Sequence, residues 1–410
     1  MEVAKPSLKR VLTLSLVTFY GLGSIIGAGI YALIGAVAHE AKFFTTFSFL
    51  IAGLLALFTA ATYAELSSRF PESAGASLYV SKAFKITWLS GLIGWLVVST
   101  GIISSGALVH GLINYLQLYS SLPTGLLIPI IVILLGGITV CGITESALTI
   151  FLMTLLEIFG LLLIIWYGKH NFSNIITDTV KYVPGFQLDQ WTAIFSGAFL
   201  AFYAFIGFED MVNLAEETKN PAKTMPRAIL LAASFSIVLY LIVSYITVAS
   251  LSEANFRNNK TLLPLIIEQQ GHSTVLFSLI AMFSIANGII VNIIMASRLI
   301  YGMTKLHTSP KIFSLIYNKT QIPITSTLAV MMTVILAAYL LPIQTLAKIT
   351  SLIMLLIFTV MHLSLIKVKL HSQVNQKYFS VPMILPIVGL ILSFGFLIFS
   401  LLLQLKLMGA

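Results

Sequence analysis

Apolar runs of about twenty residues recur along the chain, separated by short polar links. Eleven can be read, at about 13–38, 44–66, 87–115, 126–143, 147–168, 191–214, 227–251, 272–300, 322–341, 343–366 and 381–405. At 1.5 Å per residue, about 20 helical residues cross roughly 30 Å of hydrocarbon, so each run predicts a membrane-spanning helix. The longest links, "KHNFSNIITDTVKYVPGFQLDQ" and "SEANFRNNKTLLPLIIEQQG", are too short to hold a core of their own. The pattern predicts an all-α multi-pass membrane protein forming one transmembrane domain over 1–410. The first run follows "MEVAKPSLKR" with no small-residue cleavage signature and predicts a retained helix.

Two runs depart from a plain spanning helix. Span 1 contains "FYGLGSIIGAGIY", with Gly21, Gly23, Gly27 and Gly29 close together. Glycine inside a helix costs up to about 1 kcal/mol relative to alanine, so the stretch predicts an interruption. Span 6 contains "FLAFYAFIGFEDMVNLAEETKNP", where Glu209 and Asp210 follow Gly207 in an apolar run. Carboxyls at that depth face a cavity or a partner. The two spans are five apart, the placement of paired discontinuous helices in an inverted-repeat transporter. A break frees N–H groups at the start of the resumed helix, suited to a carboxylate, and carbonyls at the end of the preceding one, suited to an ammonium. An α-amino acid carries both charges. The competing reading of span 1 is close helix packing, since Gly23 and Gly27 have small-xxx-small spacing.

Composition narrows the classes. With 58% hydrophobic and 9% charged residues and a mean hydropathy of +1.00, the chain lies outside soluble domains. The net charge of +9 follows membrane orientation: with a cytoplasmic N-terminus, sixteen of the 23 Lys and Arg fall on the inside. This predicts residence in the plasma membrane, or the inner membrane of a bacterium, and needs no nucleic acid. Eleven spans place the C-terminus outside. The single cysteine, Cys141, allows neither an intrachain disulfide nor a cysteine metal cluster. Neither H-E-x-x-H nor G-x-S-x-G occurs, and His110 and His362 read as interhelical bonding residues, so no enzyme, metal or cofactor is expected.

Four stretches, "GSIIGAGIYALIG", "YAELSSRFPESAGASLYVSKAF", "AFYAFIGFEDMVNLAEETKNPAKTMPRAI" and "IIMASRLIYGMTK", resemble the motifs of the amino acid-polyamine-organocation (APC) superfamily of amino acid permeases. The resemblance implies a LeuT-type five-plus-five inverted repeat with discontinuous spans 1 and 6. The first repeat would cover 13–168 and the second 191–366, with an additional helix at 381–405. It also implies alternating access, with an amino acid bound between spans 1, 3, 6, 8 and 10. Carried over, the amides of Gly27, Ala28 and Gly29 would take the carboxylate, and the carbonyls of Ile25, Tyr203 and Ile206 the ammonium. Tyr203 would close over the substrate.

Coupling departs from the family pattern. Where many proton-coupled relatives carry a span 5 lysine, this chain has Glu157, which could carry the proton itself or tie spans 5, 1 and 8 together. Glu209 is either a titrating gate or an acceptor for freed amides. Ser297 is a candidate for a sodium site, against the commoner bond of a helical serine to its own backbone. Asp210 would turn toward Arg69 or Arg298, and Arg69 could pair with Glu65 or Glu72. Val98 and Ile102 would face the substrate side chain, with Asn292 adding one polar contact, which favours neutral amino acids. The expectation is a secondary active transporter of neutral amino acids, proton-coupled or exchanging. The alternatives are a sodium-coupled or cationic amino acid or polyamine transporter, or a transport-inactive sensor or scaffold.

Overall fold

The computed structural model describes residues 10, 12–72, 75–140, 147–173, 179–259, 261–305, 309–315, 323–371 and 378–408. Cys141 lies outside them. Among the described residues the chain is helical, and a single β-bridge joins Leu12 to Thr218. Span 1 is the helix pair Leu14–Ala28 and Ile30–Ala41; span 2 is Thr45–Arg69, span 3 Thr87–Leu116, span 4 Thr124–Val140 and span 5 Ala147–Gly168. Span 6 is the helix Leu188–Tyr203 followed by a 3₁₀ helix, Phe208–Glu217. Span 7 is Pro221–Ser250, span 8 Val275–Lys305, span 9 Ile324–Leu340, span 10 Ile343–His371 and span 11 Ile384–Met408. Among the described residues, eight helical stretches are long and apolar enough to cross a bilayer; Leu14–Gly27, Thr124–Thr139 and Ile324–Leu340 are shorter apolar helices. The chain is therefore a multi-pass membrane protein.

Several ends follow local chemistry. Span 7 starts six residues before its apolar run because Asn220 takes a left-handed turn (φ 48°) and Pro221 occupies the first helical position. The link after span 2 contains a helix, Gly75–Phe84, instead of the tight loop its glycine and small residues suggest. Between spans 7 and 8 lie two short helices, Glu253–Asn258 and Leu263–Glu268, the first opened by a Ser252/Asn255 capping box.

Span 5 shows how the bilayer is met. Leu152, Leu155, Phe159, Leu162 and Trp166 form an exposed stripe at helical spacing, while Thr154, Glu157, Leu161 and Ile164 are buried on the opposite face. Inside, span 2 packs most extensively on span 7 and span 3 on span 8, while span 1 lies on span 7 much as span 6 lies on span 2. These contacts map onto one another when span number is advanced by five.

Buried polar groups stitch the bundle. The His362 ring of span 10 sits between two span 2 threonines, with Nε2 3.2 Å from Thr59 Oγ1 and Nδ1 2.8 Å from Thr62 Oγ1. Gly389 of span 11 packs against that ring, where a Cβ would strike Cε1 and come 2.6 Å from Nε2. His110 similarly reaches the carbonyls of Ala338 and Leu341 at the end of span 9, at 2.8 and 3.1 Å. Both histidines thus bond between helices, as expected.

At one end of span 2, buried Glu65 accepts from Arg69 at 2.5 Å, from Lys369 at 2.8 Å and from the Val381 amide at 2.8 Å. Arg69 takes Glu65 and not Glu72, which pairs with Lys82 at 3.4 Å. Asp210 therefore does not pair with Arg69; the Ser24 hydroxyl stands beside it, and Arg298 is exposed. Helical angle places Asp210 and Glu65 as rival partners for Arg69, and the i,i+4 carboxylate on the same helix holds the guanidinium.

Candidate functional site

Three of the four span 1 glycines lie inside a continuous helix that runs to Ala28. A Cβ on Gly21 would meet Met211 of span 6 and Ala232 of span 7, and one on Gly23 would meet the Thr154 hydroxyl of span 5. On Gly27 it would lie 3.0 Å from Glu157 Oε1 and 3.3 Å from the Ser284 carbonyl. These glycines are docking notches for spans 5, 6, 7 and 8. The interruption is the single residue Gly29, whose φ of −98° and ψ of −72° stay in the helical region.

The break in span 6 is wider. Ala204, Phe205, Ile206 and Gly207 form turns between the α-helix and the 3₁₀ segment. Gly207 has φ 135°, a conformation that side chains oppose. Its amide donates to Glu209 Oε2 at 2.8 Å, so Glu209 caps the start of the 3₁₀ turn.

The two breaks touch. A Cβ on Gly29 would strike the Cα and carbonyl of Ala204, and one on Gly207 would come 2.7 Å from the Ser24 carbonyl. A glycine therefore lets the two main chains approach at both crossings. Around this contact the freed groups are partly spoken for. The Ile25 carbonyl accepts from the Tyr240 hydroxyl of span 7 at 2.8 Å, and the Ile30 amide faces the same hydroxyl oxygen. The Tyr203 carbonyl accepts from the Ile206 amide at 3.2 Å. Gly27 and Ala28 lie within the first half's helical ladder. In the second half Leu33 N–H bonds Gly29 O at 3.1 Å, so first-turn amides belong to Ile30, Tyr31 and Ala32.

Tyr203 ends the first half of span 6 and points its hydroxyl at span 3. It lies 2.7 Å from Ser104 Oγ and donates to the Ser104 carbonyl at 3.0 Å. Asn292 Nδ2 of span 8 donates to Ser104 Oγ at 3.2 Å. Ser104 thus joins Tyr203 to Asn292. Val98 is buried, Ile102 is half-buried, and neither belongs to this polar trio.

A small cavity between spans 1 and 8 is lined by Tyr20, Gly23, Ser24, Asn287, Gly288, Val291 and Asn292, without a charged side chain. Its volume of about 20 Å³ has room for one water and not for an amino acid. Behind it, buried Glu157 receives Asn287 Nδ2 at 3.4 Å and stands beside Ser284, whose hydroxyl donates to the Gly27 carbonyl at 3.4 Å. Among the described residues, neither Glu157 Oε2 nor Asn287 Oδ1 has a hydrogen-bond partner. The Glu157 carbonyl accepts from the Tyr31 hydroxyl of span 1 at 2.6 Å, so this residue of span 5 is bonded to both spans 1 and 8. The Ser297 hydroxyl donates to the Ile294 carbonyl of its own helix at 2.9 Å. No group of metal-ligating residues occurs among the described residues.

Reading the sequence missed Tyr240, Ser104 and Asn287. The only available signal was a polar atom inside an apolar run, one that many structural residues share.

The profile of the family described as "Amino acid permease" matches residues 12–407. Among similar proteins, the Branched-chain amino acid permease BcaP of Bacillus subtilis is 28% identical over 417 residues, covering 95% of this chain and 87% of that protein. Cationic amino acid transporter 3, mitochondrial, of Arabidopsis thaliana is 27% identical, covering 88% of this chain and 63% of that one. The human Cationic amino acid transporter 4 is also 27% identical, covering 88% and 60%. The chain thus spans about three fifths of the length of the cationic transporters it matches.

Proposed function

The chain belongs to the amino acid permease family, and on that premise we propose that it carries neutral amino acids across a membrane by alternating access, with a proton as the coupling ion. The observation that carries this reading is the backbone contact between the two breaks, Gly29 on Ala204 and Ser24 on Gly207. It brings freed main-chain groups of spans 1 and 6 to one place, beside the Tyr203–Ser104–Asn292 trio. The substrate carboxylate would take the first-turn amides of Tyr31 and Ala32, at the positive end of that half-helix. The ammonium would take carbonyls at the end of the opposing half, at Tyr203 and Ile206.

Neutral substrates are favoured by the uncharged lining of the cavity between spans 1 and 8. The similar proteins include both cationic and branched-chain transporters, and this chain covers more of the branched-chain permease. Proton coupling is favoured over sodium because buried Glu157 occupies the bridge between spans 5, 1 and 8, whereas Ser297 is bound to its own helix. A five-plus-five repeat is supported by the contacts that map onto one another on advancing five spans. The excess of Lys and Arg on one side supports a cytoplasmic N-terminus.

Since the cavity holds only about one water, substrate entry requires the spans to part. The test is uptake into proteoliposomes of an amino acid panel under proton or sodium gradients. Accumulation of branched-chain or other neutral amino acids under a proton gradient is the expected result. Accumulation of lysine or arginine instead overturns the neutral assignment. No uptake, with no amino acid raising the melting temperature, overturns transport.

A further inference from the structure

Val183, Phe186 and Leu188 stand out from the link between spans 5 and 6. Phe186 is fully exposed, Leu188 is 79% exposed and Val183 43%. Three apolar side chains within six residues form a patch, unlike the scattered single ones that any surface carries. The link is held in this shape by span 6. The Trp191 indole N–H donates to the Gly185 carbonyl at 2.8 Å, and the Gly185 amide donates to Gln190 Oε1 at 2.8 Å. Gln190 Nε2 in turn donates to Gln187 Oε1 at 3.2 Å. Gly185 is thereby folded back beside the first turn of the helix, so its neighbour Phe186 is presented close to the level of Trp191.

That level lies at the edge of the hydrocarbon. Leu188, Trp191 and Phe195 share one face of span 6, and the Phe195 ring meets Phe399 of span 11 with centroids 5.3 Å apart. Span 11 turns Phe394, Ile398, Leu401 and Leu402 outward at helical spacing, so the patch continues a lipid-facing surface. From Phe195 to Leu188 the helix rises about 10 Å, enough to leave the hydrocarbon for a headgroup layer roughly 5–8 Å thick. At the same membrane surface, where span 5 ends, exposed Trp166 has Lys169 Nζ 3.5 Å from its ring centroid, an aromatic and a cation of the kinds that gather at headgroup level.

We propose that Val183, Phe186 and Leu188 form an interfacial anchor whose partner is lipid: they enter the boundary between headgroups and acyl chains and fix the start of span 6 to that leaflet. Exposed Gln187 and Asp189 interleave with them and supply the polar side that meets headgroups and water. This goes beyond the transport reading and does not depend on it.

The test labels the full chain, carrying Cys141→Ala and Phe186→Cys, with the fluorophore nitrobenzoxadiazole in phosphatidylcholine nanodiscs. A matching chain carries the label at Gln270→Cys, an exposed polar position in the link between spans 7 and 8. Phosphatidylcholine with a nitroxide high on its acyl chain should quench the label at 186 at least about threefold more than at 270, and aqueous iodide at least about threefold less. Adding Val183→Ser and Leu188→Ser should raise iodide quenching at 186 at least about twofold, which a dye inserting by itself would not show. Equal iodide quenching at the two positions overturns the proposal, as does a label at 186 that the two serines leave unmoved. Protection from both iodide and nitroxide lipid also overturns it, since a second copy of the chain would then cover the patch.

Discussion

The breaks in spans 1 and 6 look alike in sequence and differ in structure. Span 1 has four glycines and is interrupted at one residue, with helical dihedrals on both sides. Span 6 has one glycine at its break and loses its α-helix over four residues, resuming as 3₁₀ after a φ of 135°. The lesson is that glycine count measures how many neighbours a helix must admit, whereas the size of a break depends on what replaces the lost backbone bonds. Span 1 has the Tyr240 hydroxyl to hold the Ile25 carbonyl, and span 6 has its own Glu209 to hold the Gly207 amide.

The sharpest way to break this comparison is Gly207→Ala. It meets both a forbidden φ and the Ser24 backbone, so a loss of about 2–4 kcal/mol and of all uptake is expected, read by thermal unfolding in detergent and by transport. Gly29→Ala meets the Ala204 backbone but carries no dihedral penalty, so about 1–3 kcal/mol should be lost. If Gly29→Ala proves the more damaging, break size is not what separates the two sites. Ser104→Ala leaves Asn292 without its partner and should cost about 1 kcal/mol with a raised KM for uptake, while Ser104→Thr restores both.

A smaller effect tests the notches. In Gly27→Ala the new methyl would lie 3.0 Å from buried Glu157 Oε1 and 3.3 Å from the Ser284 carbonyl, tight contacts partly offset by alanine's better helix propensity, so a net loss of about 1 kcal/mol is expected. Substrate affinity should barely change, because the Gly27 amide is inside the ladder. A large rise in KM would return the carboxylate to Gly27. The smallest effect is at the C-terminal end of span 1, where Lys42 and Arg257 each bond Glu253 at 2.8 Å. The hydrogen bonds from Lys42 and then Arg257 hold that carboxyl below its ordinary range. A lowered carboxyl contributes above its ordinary titration range and loses that contribution as pH falls through its folded value. The difference in melting temperature between native protein and Glu253→Gln should therefore shrink on acidification, and a growing difference would refute the assignment.

The spans were legible because crossing lipid imposes a local demand that each segment must meet by itself. The two interruptions were legible for the same reason, as local failures to meet it. The Arg69–Glu65 pair could be read from i, i+4 spacing. What each span 1 glycine does could not be read, since the answer lies in Met211, Thr154, Glu157 and Ala204, all more than a hundred residues away in sequence. Ser104 stayed hidden because span 3 is rich in small polar residues, and only contact with Tyr203 separates it from its neighbours. The Leu12–Thr218 bridge was invisible for a stronger reason. It uses main-chain atoms that every residue carries.

The close seat of Gly389 against the His362 ring makes span 11 part of the insulation around span 2. Cut the chain after span 10, and the imidazole with its two threonine hydroxyls would turn toward hydrocarbon, where such groups have no solvent to lean on. A ten-helix version of this protein would need a different residue at 362 before it could be trimmed. Positions 362 and 389 are thus sterically coupled: any side chain at 389 must displace the imidazole that ties span 10 to span 2.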